Sequence, residues 1–202
     1  MRPTTMETET PIVQTGAEVL RRRAEEVPPE RIRTPEFQAL LAQMIETMRK
    51  APGVGLAAPQ IGVPARVFVL EDREEYISSL TPTELEERER TAVPVRVLIN
   101  PELKPIGDEK VTFFEGCLSV SGFAALVPRY REVEVTGLDE AGQPTTWRVR
   151  GWPARILQHE FDHLNGTLYI DRMLTRSFGT AAQVKERFGG KPIPEILREF
   201  GL

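Results

Sequence analysis

The chain has 202 residues, 40% hydrophobic and 28% charged, with a formal net charge of −4 and a single cysteine. This is the profile of a globular chain long enough to bury a core, and one cysteine excludes an internal disulfide. The acidic balance gives no electrostatic ground for a nucleic-acid or anionic-membrane partner, and no run approaches the roughly 18 apolar residues of a membrane-spanning helix.

Residues 1–15 are polar and read as an N-terminal arm of one domain spanning 1–202. They carry glutamates but neither a basic start nor an apolar run, so they look like no targeting peptide and a cytoplasmic location is expected. "AEVLRRRAEE" (17–26) predicts a short helix stopped by Pro28-Pro29. A stronger helix is predicted over 34–50. Thr34 suits its cap and Pro35 its first position, and Phe37, Leu40, Leu41, Met44, Ile45 and Met48 recur at helical spacing. "GVGLAAPQIGVP" (53–64) is apolar yet rich in Gly and Pro, and reads as a buried loop.

"RVFVL" (66–70) and "VRVLINP" (95–101) predict strands. Between them, 71–94 is strongly charged and reads as a solvated surface insertion; Thr81, Pro82 and Glu84 fit the capped start of a short helix. Glu115-Gly116 and Ser119 to Gly122 look turn-like and polar. Residues 133–151 alternate around Glu140-Ala141-Gly142 and predict a hairpin. "WPARILQHEFDHLNG" (152–166) predicts a helix started by Pro153 and ended by Asn165-Gly166. It is apolar on several sides, so it should be central and mostly buried. The tail, 176–202, has weak helical character. The expected class is α+β: a central helix against small, mostly antiparallel sheets.

That central helix holds both histidines of the chain, His159 and His163, four positions apart, with Glu160 between them. Residues i and i+4 share a helix face, so two imidazoles can meet one metal ion. The adjacent carboxylate can take a proton from a water that the metal acidifies, which is the physical content of H-E-x-x-H. A catalytic metal ordinarily needs a third protein ligand. Glu186, Glu195 and Cys117 are the candidates, and a thiolate suits zinc or ferrous iron. Ligating imidazoles also need orientation. Asp162, between the ligands in sequence, is expected to pair with Arg129 and hold the Cys117 segment against the helix.

Three segments in order, "GVGLAAPQIG" (53–62), "EGCLS" (115–119) and "QHEFDH" (158–163), together resemble the peptide deformylase family. The likeness, with "LINP" and "GWPARILQHE", runs from about residue 16 to about residue 175. It implies a metal hydrolase that removes the N-terminal formyl group from formyl-methionyl nascent chains and releases formate. It implies Cys117 as third ligand with His159 and His163, Glu160 as the proton-transferring carboxylate, and the Gln60 side chain and Leu118 backbone N–H as donors to the oxyanion. Gly53, Val54, Gly55 and Leu56, with Glu115, Gly116 and Trp152, then bind the substrate. The implied metal is Fe2+, with Zn2+, Ni2+ or Co2+ as substitutes, and the substrate implies ribosome contact. Where some relatives carry charges after Cys117-Leu118-Ser119, this chain has "GFAALVP". The other readings are an ordinary metallopeptidase with Glu186 as third ligand, and a closed structural metal site.

Overall fold

The computed structural model describes residues 10–78 and 80–202; positions 1–9 of the predicted arm lie outside them. In chain order the elements are α1 (Pro29–Ile32), α2 (Pro35–Lys50), β1 (Gly55–Ala57), β2 (Val67–Asp72), α3 (Glu74–Ile77), α4 (Pro82–Arg88), β3 (Val93–Pro105), β4 (Lys110–Cys117), β5 (Val120–Tyr130), β6 (Glu132–Leu138), β7 (Pro144–Arg150), α5 (Trp152–Leu164), β8 (Gly179–Thr180), α6 (Ala181–Phe188) and α7 (Ile193–Phe200). One sheet runs β1-β2-β3-β6-β7 and a second β4-β5-β8, and every pairing is antiparallel. This is the expected α+β class.

The large sheet is covered on both faces. Val67 and Val69 of β2 pack with Phe37, Leu41, Met44 and Met48 of α2. Phe68 and Leu70 pack with Ala154, Ile156, Leu157 and Leu164 of α5. Successive strand residues point to opposite faces, so a strand covered on both sides must be apolar throughout. That is why "RVFVL" does not alternate. α5 lies against the large sheet and also against β5. Its burial is nearly complete, including Glu160, Asp162 and His163. α2 starts as expected, with the Thr34 hydroxyl accepting from the Phe37 N–H at 3.3 Å. The 133–151 hairpin forms as β6–β7.

Four expectations need correction. Residues 17–26 are not a helix: only Glu18–Arg21 turns, as 3-10. Beyond it, the Ala24 N–H bonds Leu164 O and the Glu25 N–H bonds Pro64 O, so tertiary partners replace helical ones. The 53–64 loop contains β1 and a 3-10 turn at Ala58–Ile61. Of the residues expected to be turn-like, Glu115 and Gly116 pair with Ala125 and Ala124, and Val120 to Gly122 begin β5. Leu118-Ser119 alone forms the turn. The 71–94 insertion is only partly solvated: Asp72 is fully buried and takes both Arg90 hydrogen bonds at 2.8 Å. The tail forms α6 and α7, whose Phe188 and Ile196 pack on Leu126 of β5. From residue 10 the arm is also docked, with the Val13 N–H on Gln60 O and the Thr15 N–H on Ser119 O.

Asn100 ties two of these pieces together. Its φ is +49°, a left-handed value that Asn tolerates better than most residues. Its side chain accepts from the Val27 N–H at 2.8 Å and donates to Val27 O at 2.9 Å. Asn100→Ala removes both bonds and is expected to destabilise the protein by about 2 kcal/mol, read from urea unfolding midpoints.

Candidate metal centre

α5 is aimed by its first residues. Gly151 precedes it at φ +69°, and a side chain there would run into Glu89. Glu89 ends α4 and pairs with Arg131 and Arg150, so the 71–94 segment braces the start of the helix. His159 and His163 then fall one turn apart, with ring centroids separated by 5.0 Å. The tight β4–β5 hairpin brings Cys117 to them, its Sγ 3.3 Å from His163 Nε2. One donor atom from each of Cys117, His159 and His163 lies within 4.8 Å of the others. Glu186 and Glu195 are outside this cluster; Glu195 lies instead 3.8 Å from Lys191.

The surroundings fit a bound cation. Burial pushes the His163 imidazole well below its ordinary range, favouring the neutral form that ligates. Burial has the same tendency at His159, but the Cys117 sulfur and the Glu115 carboxylate override it and raise the imidazole well above that range. His159 Nδ1 sits 3.0 Å from Glu115 Oε2, which leaves Nε2 for a metal.

Glu115 lies at the cavity as expected, but its carboxylate is also taken up in a buried ionic network. Its Oε1 accepts from Arg129 Nε at 2.9 Å and Arg155 Nη1 at 2.6 Å, and its Oε2 accepts from Arg129 Nη2 at 2.9 Å. Burial opposes its ionisation, yet the Arg129 charge and these bonds hold its carboxyl well below the usual range. Arg129 also donates to Asp162 Oδ2 at 2.5 Å, and Arg172 reaches the same carboxylate through two bonds of 2.7 Å. Sequence reasoning missed the roles of Glu115, Arg155 and Arg172. Arg155 did leave a signal: a charge four residues before His159 on a helix expected to be buried needs a buried partner.

The ligand cluster opens onto a cavity of about 370 Å³ lined by Gly53, Val54, Gly55, Gln60, Glu115, Gly116, Cys117, Leu118, Trp152, His159 and Glu160, among others. Leu56 is not in this wall. β1 turns Gly55 toward α5, so Leu56 points the other way and is fully buried against α2. Gly55 must be glycine, since a Cβ there would overlap the Glu160 carboxylate. Burial pushes the Glu160 carboxyl up to about 7, and its Oε2 has no hydrogen-bond partner among the described residues. Gln60 is 2% exposed. Its Oε1 accepts from the Ala57 N–H at 2.9 Å, which directs Nε2 toward Ser119 Oγ (3.3 Å) and Cys117 Sγ (3.6 Å). Trp152 packs edge-on to Phe113, with Arg88 and Arg90 over its ring. A larger surface hollow of about 850 Å³ beside α4 and β7 holds none of the ligand cluster.

The sequence model of polypeptide deformylases matches residues 9–178. The chain belongs to the polypeptide deformylase family. Among its relatives, the chloroplastic peptide deformylase 1A of Solanum lycopersicum is 50% identical over 84% of this chain, and that of Arabidopsis thaliana, named chloroplastic/mitochondrial, is 52% identical over 84%. These matches span 61% and 63% of the two plant proteins. The mitochondrial peptide deformylase of Homo sapiens is 43% identical over 83% of this chain and 69% of its own length. Among solved structures, the Met-Ala-Ser-bound class I type b peptide deformylase of Acinetobacter baumannii superposes with a TM-score of 0.73 at 32% identity, covering 83% of this chain and all of that one. An actinonin complex from Synechococcus elongatus gives 0.69 at 32% identity, covering 96% of this chain and 93% of that one.

Two outcomes test this geometry. Arg129→Ala leaves Glu115 and Asp162 short of their shared cation and is expected to cost roughly 3 kcal/mol in urea unfolding. Cobalt(II) added to metal-free protein is expected to give a thiolate charge-transfer band that Cys117→Ser abolishes and Glu186→Ala preserves.

Proposed function

We propose that this chain is a metal-dependent hydrolase that removes the formyl group from N-formylmethionyl polypeptides and releases formate. The observation that carries the reading is the cluster of Cys117, His159 and His163, of which Cys117 and His159 line one cavity with Glu160 and Gln60. Membership of the deformylase family and the Met-Ala-Ser peptide on the Acinetobacter relative support it.

Cys117 Sγ and one nitrogen from each histidine would hold the metal, Fe2+ in this proposal, with Zn2+, Ni2+ or Co2+ as substitutes. When bound, the ion supplies a Lewis acid that makes water a nucleophile at neutral pH and polarises the formyl carbonyl. Glu160 takes the proton of the attacking water and passes it to the departing methionine nitrogen as the formamide C–N bond breaks. Its carboxyl, raised by burial, is suited to exchanging a proton near neutrality. Gln60 Nε2 and the Leu118 N–H donate to the carbonyl oxygen as it gains negative charge. Gln60 is held ready for this by the Ala57 N–H on its other end. Gly53, Val54, Gly55, Gly116 and Trp152 line the cavity with these groups.

Asp162 and Arg129 position the hairpin and the helix. The unpartnered Glu160 oxygen beside the ligands supports a catalytic centre over a closed structural one. Nascent chains are the proposed substrate, with the ribosome as the implied partner. No helix of the described residues is long and apolar enough to cross a membrane. Relatives are named for chloroplasts and mitochondria, so the cytoplasmic location expected from the sequence stays a proposal.

Formate release from N-formyl-Met-Ala-Ser tests the reading directly. Wild-type protein loaded anaerobically with Fe2+ or Ni2+ is expected to release formate, and Glu160→Ala and Cys117→Ala are expected to abolish release. Gln60→Ala is expected to lower kcat about 100-fold, the loss of one oxyanion donor. A loaded wild type that releases none overturns the proposal.

A further inference from the structure

Three consecutive residues of the N-terminal arm fasten two segments that line the cavity. The Val13 N–H bonds Gln60 O at 2.8 Å, and the Thr15 N–H bonds Ser119 O at 2.7 Å. Gln14, between them, uses its side chain. Its Nε2 donates to Leu118 O at 2.9 Å and to Ile12 O at 3.2 Å, and its Oε1 accepts from the Ser121 N–H at 3.3 Å. Gln14 is exposed, so core packing does not account for its place.

The turn it holds is not of a kind that holds itself. Cys117 pairs with Val120, so Leu118 and Ser119 are the two central residues. Among the described non-glycine residues, only Glu89 and Asn100 have positive φ, so both central residues lie at negative values. Two-residue hairpins favour positive φ at one or both central positions, because the alternatives splay the strands. The ladder is irregular here, with a register shift between Gly116 and Cys117. Turn types differ in how the peptide between the central residues is rotated. That is the peptide Gln14 grips. On its oxygen side Leu118 O accepts from Gln14, and on its nitrogen side the Ser119 N–H donates to Cys117 Sγ at 3.4 Å. A bond to a peptide oxygen polarises the N–H of the same peptide, so Gln14 acts on the sulfur through a single peptide unit. An N–H bond to a ligand sulfur tunes the charge that the sulfur gives a metal.

We propose that Gln14 is a positioning residue: it fixes the Leu118–Ser119 peptide, and through it the Cys117 sulfur and the Leu118 donor, for the reaction. Its effect on rate rests on the deformylase reading, and its effect on the sulfur does not.

Gln14→Ala tests both effects. With Fe2+ or Ni2+ loaded, kcat on N-formyl-Met-Ala-Ser is expected to fall roughly tenfold while KM stays within about twofold, less than the loss of an oxyanion donor outright. In cobalt(II) protein, the thiolate charge-transfer band is expected to move to longer wavelength as the Ser119 N–H bond to sulfur weakens. Gln14→Glu keeps an acceptor for Ser121 but loses the donor, and is expected to match Gln14→Ala. Gln14→Lys keeps a donor in reach of Leu118 O, and is expected to recover most of both readouts. A side chain serving stability alone would lower the urea midpoint and move neither. An unshifted band in Gln14→Ala overturns the proposal, as does a wild-type kcat in that variant when wild-type protein releases formate. A band shifted in Gln14→Ala and restored in Gln14→Lys, in a protein that releases no formate, supports the positioning role while the deformylase reading fails.

Discussion

The Arg129 guanidinium, buried between two carboxylates, joins the two halves of the candidate site. Glu115 comes from β4 and Asp162 from α5, and Arg129 from β5 bonds both. Burying these charges is tolerable only because each has a partner with good geometry. The arrangement also fixes a third object, since the second oxygen of Glu115 meets His159 Nδ1. One buried ionic chain thus sets the distance between hairpin and helix and the orientation of a ligand candidate. Arg155 of α5 and Arg172, from the segment after it, complete it.

The elements that could be read from sequence are those whose signals are local. α2 carries its cap, its proline and its stripe within one segment, and α5 carries two histidines at helical spacing between Pro153 and Asn165. The β4–β5 hairpin was hidden for the opposite reason. Its turn, Leu118-Ser119, has no Gly, Asn or Asp, while Gly116 and Gly122 sit outside the turn and suggest a loop. The helix expected at 17–26 failed because its backbone partners, Leu164 and Pro64, are far away in the chain.

The site was legible to the same degree. His159, His163 and Glu160 follow from a five-residue pattern. Cys117 as their neighbour needed the family likeness, because 42 residues separate it from His159 and no local pattern spans that gap. The ionic role of Glu115 was missed since its cations, Arg129 and Arg155, come from a neighbouring strand and a distant helix. The pairing of Asp162 with Arg129 was expected, and the side chains do meet at 2.5 Å. Leu56 was misplaced because strand alternation inside a segment read as loop could not be anticipated.

The helix with the two histidines and the strand with Cys117 are joined covalently only by the backbone that runs between them. Any ion held by all three is therefore also a crosslink, closing the loop of chain that runs from the hairpin through β5, β6 and β7 to α5. Such a tie narrows the unfolded ensemble much as a disulfide does, in a chain whose one cysteine allows none. The free energy of metal binding then adds to that of folding, in proportion to the logarithm of free metal over its dissociation constant. Loss of the ion would loosen the tertiary structure as well as silence the chemistry, and metal supply would set how much of the chain survives proteolysis.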